Sequence, residues 1–293
     1  MKSIENLQTV LEYLPRRVRD ALRTIPEEEF SRIQEIRLRC HRPAGIVIRN
    51  QENPVNPGHV LSVDEIMKSF QAVCSYSVYS HEQELSEGYI TIRGGCRVGI
   101  CGTAVRDGQD ARCVKSLKYI SSLNFRIAGE FSGIAGQIWQ QVSGSVLIAG
   151  AVASGKTTYL RDLCRIAGNQ YRTALIDERG ELAAVRMGIP QHDIGQMTDV
   201  LDGYPRDAGI LTALRVLSPE YIVCDEISTP EDVQAILQAS GCGVRFLASC
   251  HAGNPSEITN RQFIKPLLEQ NIFQYLVFLE RNQIRTVRKL AVS

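Results

Sequence analysis

Apolar residues recur at helical spacing from about Ile4 to Phe30, with Leu7, Val10, Leu11 and Leu14 followed by Val18 and Leu22, which predicts helix there. Ile33-Gln34-Glu35-Ile36-Arg37-Leu38-Arg39 then alternates, the signature of a half-buried strand, and a turn at Pro43 leads into a second strand at Gly45-Ile46-Val47-Ile48. Ser62 with Glu65 three residues on makes a capping box for a helix running to about Cys74. A further helix is expected from Ser77 to Leu85. Tyr89-Ile90-Thr91-Ile92-Arg93 and Cys96-Arg97-Val98-Gly99-Ile100 flank Gly94-Gly95, whose tolerance of positive φ predicts a tight hairpin, and Asp107-Gly108 closes the next turn. Residues 1–128 therefore read as a smaller N-terminal α+β domain. The four glycines between Gly129 and Gly144 mark 129–144 as a hinge.

From residue 145 the rhythm changes. Short apolar runs alternate with helical patterns at 145–149, 156–167, 173–177, 208–217, 221–225, 230–239 and 244–249. Such alternation predicts an α/β domain over 145–293 with a mostly parallel, doubly wound or RecA-like sheet. Thr229-Pro230-Glu231-Asp232 supplies a helix start, with a capping residue, proline in the first turn and two acids beside the helix N-terminus.

At 293 residues the chain has room for these two domains. Lys+Arg 33 against Asp+Glu 32 leaves a formal charge of +1, which gives no global electrostatic reason to coat a nucleic acid. The nine cysteines lack C-x-x-C or His/Cys zinc spacing, so neither a disulfide scaffold nor a zinc site is indicated. Met1 to Leu7 is polar, without the apolar stretch of a secretion signal, and no run approaches membrane-spanning length. A cytoplasmic protein, held at any membrane by partners, is the expectation.

Chemistry concentrates in the second half. Gly150 to Thr157 reads GAVASGKT, the G-x-x-x-x-G-K-[ST] loop, between the apolar run Val146-Leu147-Ile148-Ala149 and a helical stretch. A glycine-rich turn there aims backbone N–H groups and a helix N-terminus at polyphosphate. Gly150, Ser154, Gly155, Lys156, Thr157 and Thr158 are the candidate nucleotide-binding residues, with Lys156 reaching the β/γ-phosphates and Thr157 ligating Mg²⁺. Tyr221-Ile222-Val223-Cys224-Asp225-Glu226 ends a second apolar run in two carboxylates, at the sheet edge where ligands collect. Asp225 suits Mg²⁺, directly or through water, and Glu226 suits the group that orients the attacking water. Glu178, in Leu175-Ile176-Asp177-Glu178-Arg179-Gly180-Glu181, follows another strand and can hold Mg²⁺-bound water or help activate one; an exposed loop is the plainer alternative. His251, after the last strong strand, can sense the γ-phosphate or lock Glu226. Arg215 can face a phosphate or a neighbouring subunit, and Arg93, Arg97 and Arg126 are further guanidinium candidates, each also readable as a surface charge. The basic run Arg281 to Lys289 reads as a solvated strand or hairpin face before a partner or acidic-lipid contact.

The order GAVASGKTT, LIDERGEL, PEYIVCDEI, SCHAG resembles the secretion-type ATPases of type II, type IV and pilus machines, where these blocks are called Walker A, Asp box, Walker B and His box. Within that superfamily the chain is similar to the stage III sporulation AA family. Gly94-Gly95-Cys96-Arg97-Val98-Gly99-Ile100, Ser121 to Ala128 and Gly188 to Gly195 carry that closer likeness. The resemblance implies an ATP- and Mg²⁺-using ATPase in the mother cell of a spore former. It implies a ring-forming homo-oligomer, a hexamer in the wider superfamily, docked on membrane-embedded sporulation channel proteins. It assigns Lys156 and Thr157 to phosphate and Mg²⁺, Asp225 and Glu226 to Walker B, Glu178 to the Asp box and His251 to the His box. Ala151 and Val152 early in the loop, Gly243-Val244-Arg245 and Cys250 depart from the usual pattern without removing a reactive group. A RecA-like nucleic-acid motor and a non-hydrolysing, nucleotide-gated scaffold are the rival readings.

Overall fold

Proline sets the breaks in the N-terminal helical stretch. In the computed structural model, which describes residues 2–106, 114–129, 132–260 and 263–290, that stretch forms three helices, Lys2–Leu11, Arg16–Leu22 and Glu27–Phe30. Pro15 and Pro26 sit as N-caps with ψ of 143° at the starts of the second and third, where a fixed φ and a missing N–H do least harm. The turn expected at Asp107-Gly108 lies outside the described residues.

The chain divides into two units, Met1–Glu130 and Phe131–Ser293. The first carries six antiparallel strands: β1 (Ile33–Arg39), β2 (Ala44–Ile48), β3 (Gln51–Val55), β4 (Tyr89–Thr91), β5 (Arg97–Arg106) and β6 (Val114–Arg126), in the order β3-β2-β1-β6-β5-β4. Alternation buries Ile36 and Leu38, an irregularity between Ile33 and Glu35 brings Ile33 in beside them, and all three join the core of Leu7, Val10 and Leu22 from the helices. The helix Val63–Val73 begins at the predicted capping box, with the Ser62 hydroxyl accepting the Glu65 N–H and Glu65 accepting the Ser62 N–H. Between β4 and β5, Gly94 and Gly95 take φ of 82° and 76°, and a Cβ on Gly94 would run into Asn6. The helix expected over 77–85 is a 3-10 turn at Val78–His81 followed by the helix Glu82–Ser86.

The second unit is the mostly parallel, RecA-like core. Its strands are β7 (Val146–Gly150), β8 (Thr173–Asp177), β9 (Thr198–Asp202), β10 (Tyr221–Cys224), β11 (Arg245–His251), β12 (Tyr275–Glu280) and β13 (Gln283–Lys289), in the order β13-β12-β7-β11-β10-β8-β9. All pairs are parallel except the β12/β13 hairpin. From 145 to 251 the elements predicted from the pattern lie within two residues of those observed. Period-2 side chains split between two cores. Leu147, Ala149, Ile222 and Cys224 pack against the helices Arg206–Val216 and Pro230–Ser240, while Val146, Ile148, Tyr221 and Val223 pack against the helix Lys156–Gly168. Both faces being covered explains why β7, β8 and β10 are buried at every position.

Within 129–144, expected as a hinge, the helix Gly136–Gln141 forms and Ala135 and Ile138 enter the second core. The buried Asp162 carboxylate fixes this stretch by accepting the Gly133 and Ala135 N–H groups at 3.0 and 2.8 Å. No helix among the described residues is long and apolar enough to cross a membrane. Every described cysteine is a free thiol, and Cys224 in β10 is pushed up to about 12, first by burial.

Candidate functional site

The strand order sets the site. β11 lies between β7, which ends in the glycine-rich loop, and β10, which ends in the two acids, while β8 flanks β10 on its other side. All four parallel strands deliver their C-terminal ends to one edge. In the loop, Ala153 takes φ of 59° and Gly155 φ of 93°. Gly155 is also the N-cap of the helix Lys156–Gly168. A Cβ on Gly155 would come within 2.8 Å of Asn282 Oδ1, and one on Gly150 within 2.6 Å of the Leu279 carbonyl, so both positions need glycine. Lys156 Nζ donates to the Gly150 and Ala151 carbonyls at 2.9 and 2.8 Å, which folds the ammonium over the loop. Thr158 is half-buried in the first helical turn.

Two hydroxyls hold the acids, one from the end of the loop and one from β11. Thr157 Oγ1 donates to Asp225 Oδ2 at 2.8 Å, across the intervening strand. Ser249 Oγ, fully buried in β11, donates to Asp225 Oδ1 and accepts the Glu226 N–H at 2.9 Å. Glu226 stands in the left-handed region at φ 57°, and its carboxylate receives Arg179 Nη1 at 2.6 Å. The imidazole of His251 is partly buried at the end of β11, in register with Gly150, and Ala252 N–H bonds the Gly150 carbonyl at 3.1 Å.

The acids after β8 have separate jobs. Asp177 is only 3% exposed and accepts the N–H groups of Glu181, Leu182 and Ala183 at 2.7–3.2 Å, so it staples the following loop. Glu178 receives Arg206 Nη2 at 2.7 Å, and Arg206 Nη1 reaches Asp232 Oδ2 at 2.7 Å. Asp232 in turn accepts the Ser228 and Thr229 N–H groups at 3.0 Å. Burial works to lower the Arg206 pKa, but Asp232 foremost among its partners holds it above its ordinary value. A cleft of about 500 Å³ opens beside this network, lined by Glu178, Arg179, Arg206, Asp207, Thr229 and Glu231 among others.

The structure thus brings Lys156, Thr157, Asp225, Glu226, Glu178 and His251 to one sheet edge. Arg215 is not among them. It lies in the last turn of the helix Arg206–Val216, roughly 13 Å along the axis from Arg206, and bonds the Leu211 carbonyl and the Thr212 hydroxyl of its own helix. Arg206, at the start of that helix, reaches the site instead, beside Arg179. Arg93, Arg97 and Arg126 are engaged within the first unit, with Glu12 at 2.9 Å, over the Tyr89 ring at 4.6 Å and with Glu35 at 3.9 Å. Ser249, Arg206 and Asn282 were missed in the sequence. Ser249 stands two residues before His251 on the same strand, and that period-2 relation was the available signal.

A polyphosphate with Mg²⁺ fits these residues. Ser154 Oγ is buried without a hydrogen-bond partner among the described residues, the helix opens on a glycine, and a hydroxyl and a carboxylate already meet at Thr157 and Asp225. No cluster of three or more His, Cys, Asp or Glu that could hold a metal occurs among the described residues.

The family described as sporulation stage III, protein AA, matches residues 4–289. Stage III sporulation protein AA of Bacillus subtilis (strain 168) is 36% identical over 285 residues, covering 94% of this chain and 91% of that one. The uncharacterized protein ycf45 of Cyanidium caldarium is 29% identical over 150 residues, 48% of this chain and 44% of its own. Among solved structures, the pilus retraction motor PilT with bound ADP superposes at a TM-score of 0.62 and 14% identity, covering 89% of this chain and 79% of that one. The Legionella pneumophila ATPase DotB superposes at 0.54 and 14%, covering 84% and 72%. These structural likenesses establish the fold.

Proposed function

The chain belongs to the sporulation stage III, protein AA, family, and from that premise we propose that it is a Mg²⁺-dependent ATPase that powers or assembles a transenvelope apparatus during sporulation. The observation that carries the reading is the 2.8 Å bond from Thr157 to Asp225, which ties the phosphate loop to the acid-bearing strand. Lys156 and the loop N–H groups bind the phosphates. Thr157 and Asp225 would hold Mg²⁺, which supplies neutralisation of phosphate charge when bound. Glu226 orients and polarises the attacking water, with its backbone fixed by Ser249. Glu178, held by Arg206, shapes the β8 side of the site, and His251 stands beside the loop's first glycine.

Phosphoryl transfer asks a protein mainly for positioning and charge, so an edge built from fixed donors and acids suits it. The enzyme works as a ring-forming homo-oligomer on the cytoplasmic face of membrane-embedded sporulation proteins. Binding of fluorescent ATP, titrated with and without Mg²⁺, tests the reading. Lys156→Ala should weaken affinity at least about tenfold, the loss of one charged phosphate contact, and Asp225→Asn should remove most of the Mg²⁺ effect. Wild-type affinity in Lys156→Ala would overturn it.

A further inference from the structure

Two arginines reach acids at this sheet edge, and they differ in kind. Arg206 is 7% exposed, braced by Asp232 as well as Glu178, and its position is built into the core of the edge. Arg179 is 65% exposed on the loop after β8, and it meets Glu226, itself 40% exposed, at 2.6 Å. β8 lies on the side of β10 away from β11 and the phosphate-loop strand β7. The contact with Arg179 therefore draws the Glu226 carboxylate away from the phosphate loop. The Glu226 backbone is held by the bond from its N–H to buried Ser249, which keeps it at a φ of 57°. Only the side-chain torsions remain free, and Arg179 sets them.

We propose that Arg179 is a positioning residue that parks Glu226 on the β8 side of the site in the nucleotide-free chain and releases it when a nucleoside triphosphate binds. The proposal rests on the reading of Glu226 as the water-orienting acid. An exposed guanidinium lets go of a carboxylate readily once added phosphate charge competes for it, since phosphate is a stronger bidentate acceptor. An ion pair of this exposure biases its partner by a factor of about two to five, enough to bias Glu226 and too little to trap it.

The test measures carbodiimide labelling of Glu226 by mass spectrometry on the nucleotide-free full chain, beside steady-state ATP hydrolysis, for wild type, Arg179→Ala and Arg179→Lys. Arg179→Ala should raise Glu226 labelling of the nucleotide-free chain about two- to fivefold, with Arg179→Lys between. Labelling that does not change would overturn the proposal. So would a rise in labelling in Arg179→Lys as large as that in Arg179→Ala, which would trace the effect to lost bulk and not to the ion pair. If wild type also failed to hydrolyse ATP, the ATPase reading would fail, and the labelling ratio would still decide whether Arg179 orients Glu226.

Discussion

One buried hydroxyl serves both acids of the site: Ser249 Oγ donates to Asp225 and accepts from the Glu226 N–H. Ser249→Ala leaves that N–H without its partner and frees the Asp225 carboxylate on one side, at a cost of about 1–3 kcal/mol. A lowered thermal midpoint and a kcat reduced more than KM is changed are the expected outcomes, with Ser249→Thr restoring much of both; kcat equal to wild type in Ser249→Ala would contradict this role. The residues of the phosphate loop were legible because their chemistry is local, eight consecutive positions between a strand and a helix. Ser249 was not, because its role depends on β11 lying beside β10 in the register Leu247 to Val223 and Ala248 to Cys224. Arg215 drew attention by its position before the acid strand, but helix direction places Arg206 at the site instead.

At the scale of elements, the twenty-residue connection between Asp177 and Thr198 contains no regular helix or strand, yet it is pinned at its start. Asp177 takes three backbone N–H groups, and the Ala183 carbonyl then accepts Gln191 and His192 at 3.0 and 3.2 Å. Asp177→Ala strands the buried N–H groups of Leu182 and Ala183 and should cost about 2–4 kcal/mol. A denaturant midpoint within error of wild type would refute the staple. Helix starts were readable where a side chain caps its own backbone, as at Ser62 and Thr229. β3, β6, β9 and β12 have no counterpart in the predicted pattern. β3 is exposed at four of five positions and β9 is a short edge strand, so pairing with β2 and β8 creates them rather than burial. The break of the first helical stretch at Pro15 and Pro26 was available in the sequence, but continuous apolar spacing across both prolines outweighed it.

For the whole molecule, the fold class followed from alternation of buried strands and helices, since strands covered on both faces must be apolar at every position. The basic run at the C-terminal end is the exposed edge strand β13, where Arg285 pairs with Glu280 at 2.8 Å and the charges oppose edge-to-edge pairing. Its hairpin tip instead serves the site, with Asn282 N–H bonding the Ser154 carbonyl at 3.2 Å. Assembly belongs to this scale: if neighbours in the proposed ring complete the exposed edge around Glu226, activity depends on protein concentration. The decisive measurement is ATP hydrolysis per chain against protein concentration, wild type beside Glu226→Gln. The account predicts a specific activity that climbs with concentration, and a mutant that binds ATP but turns over about 10²–10⁴-fold more slowly. Turnover by Glu226→Gln at the wild-type rate, or a wild type with no hydrolysis at any concentration, would contradict it.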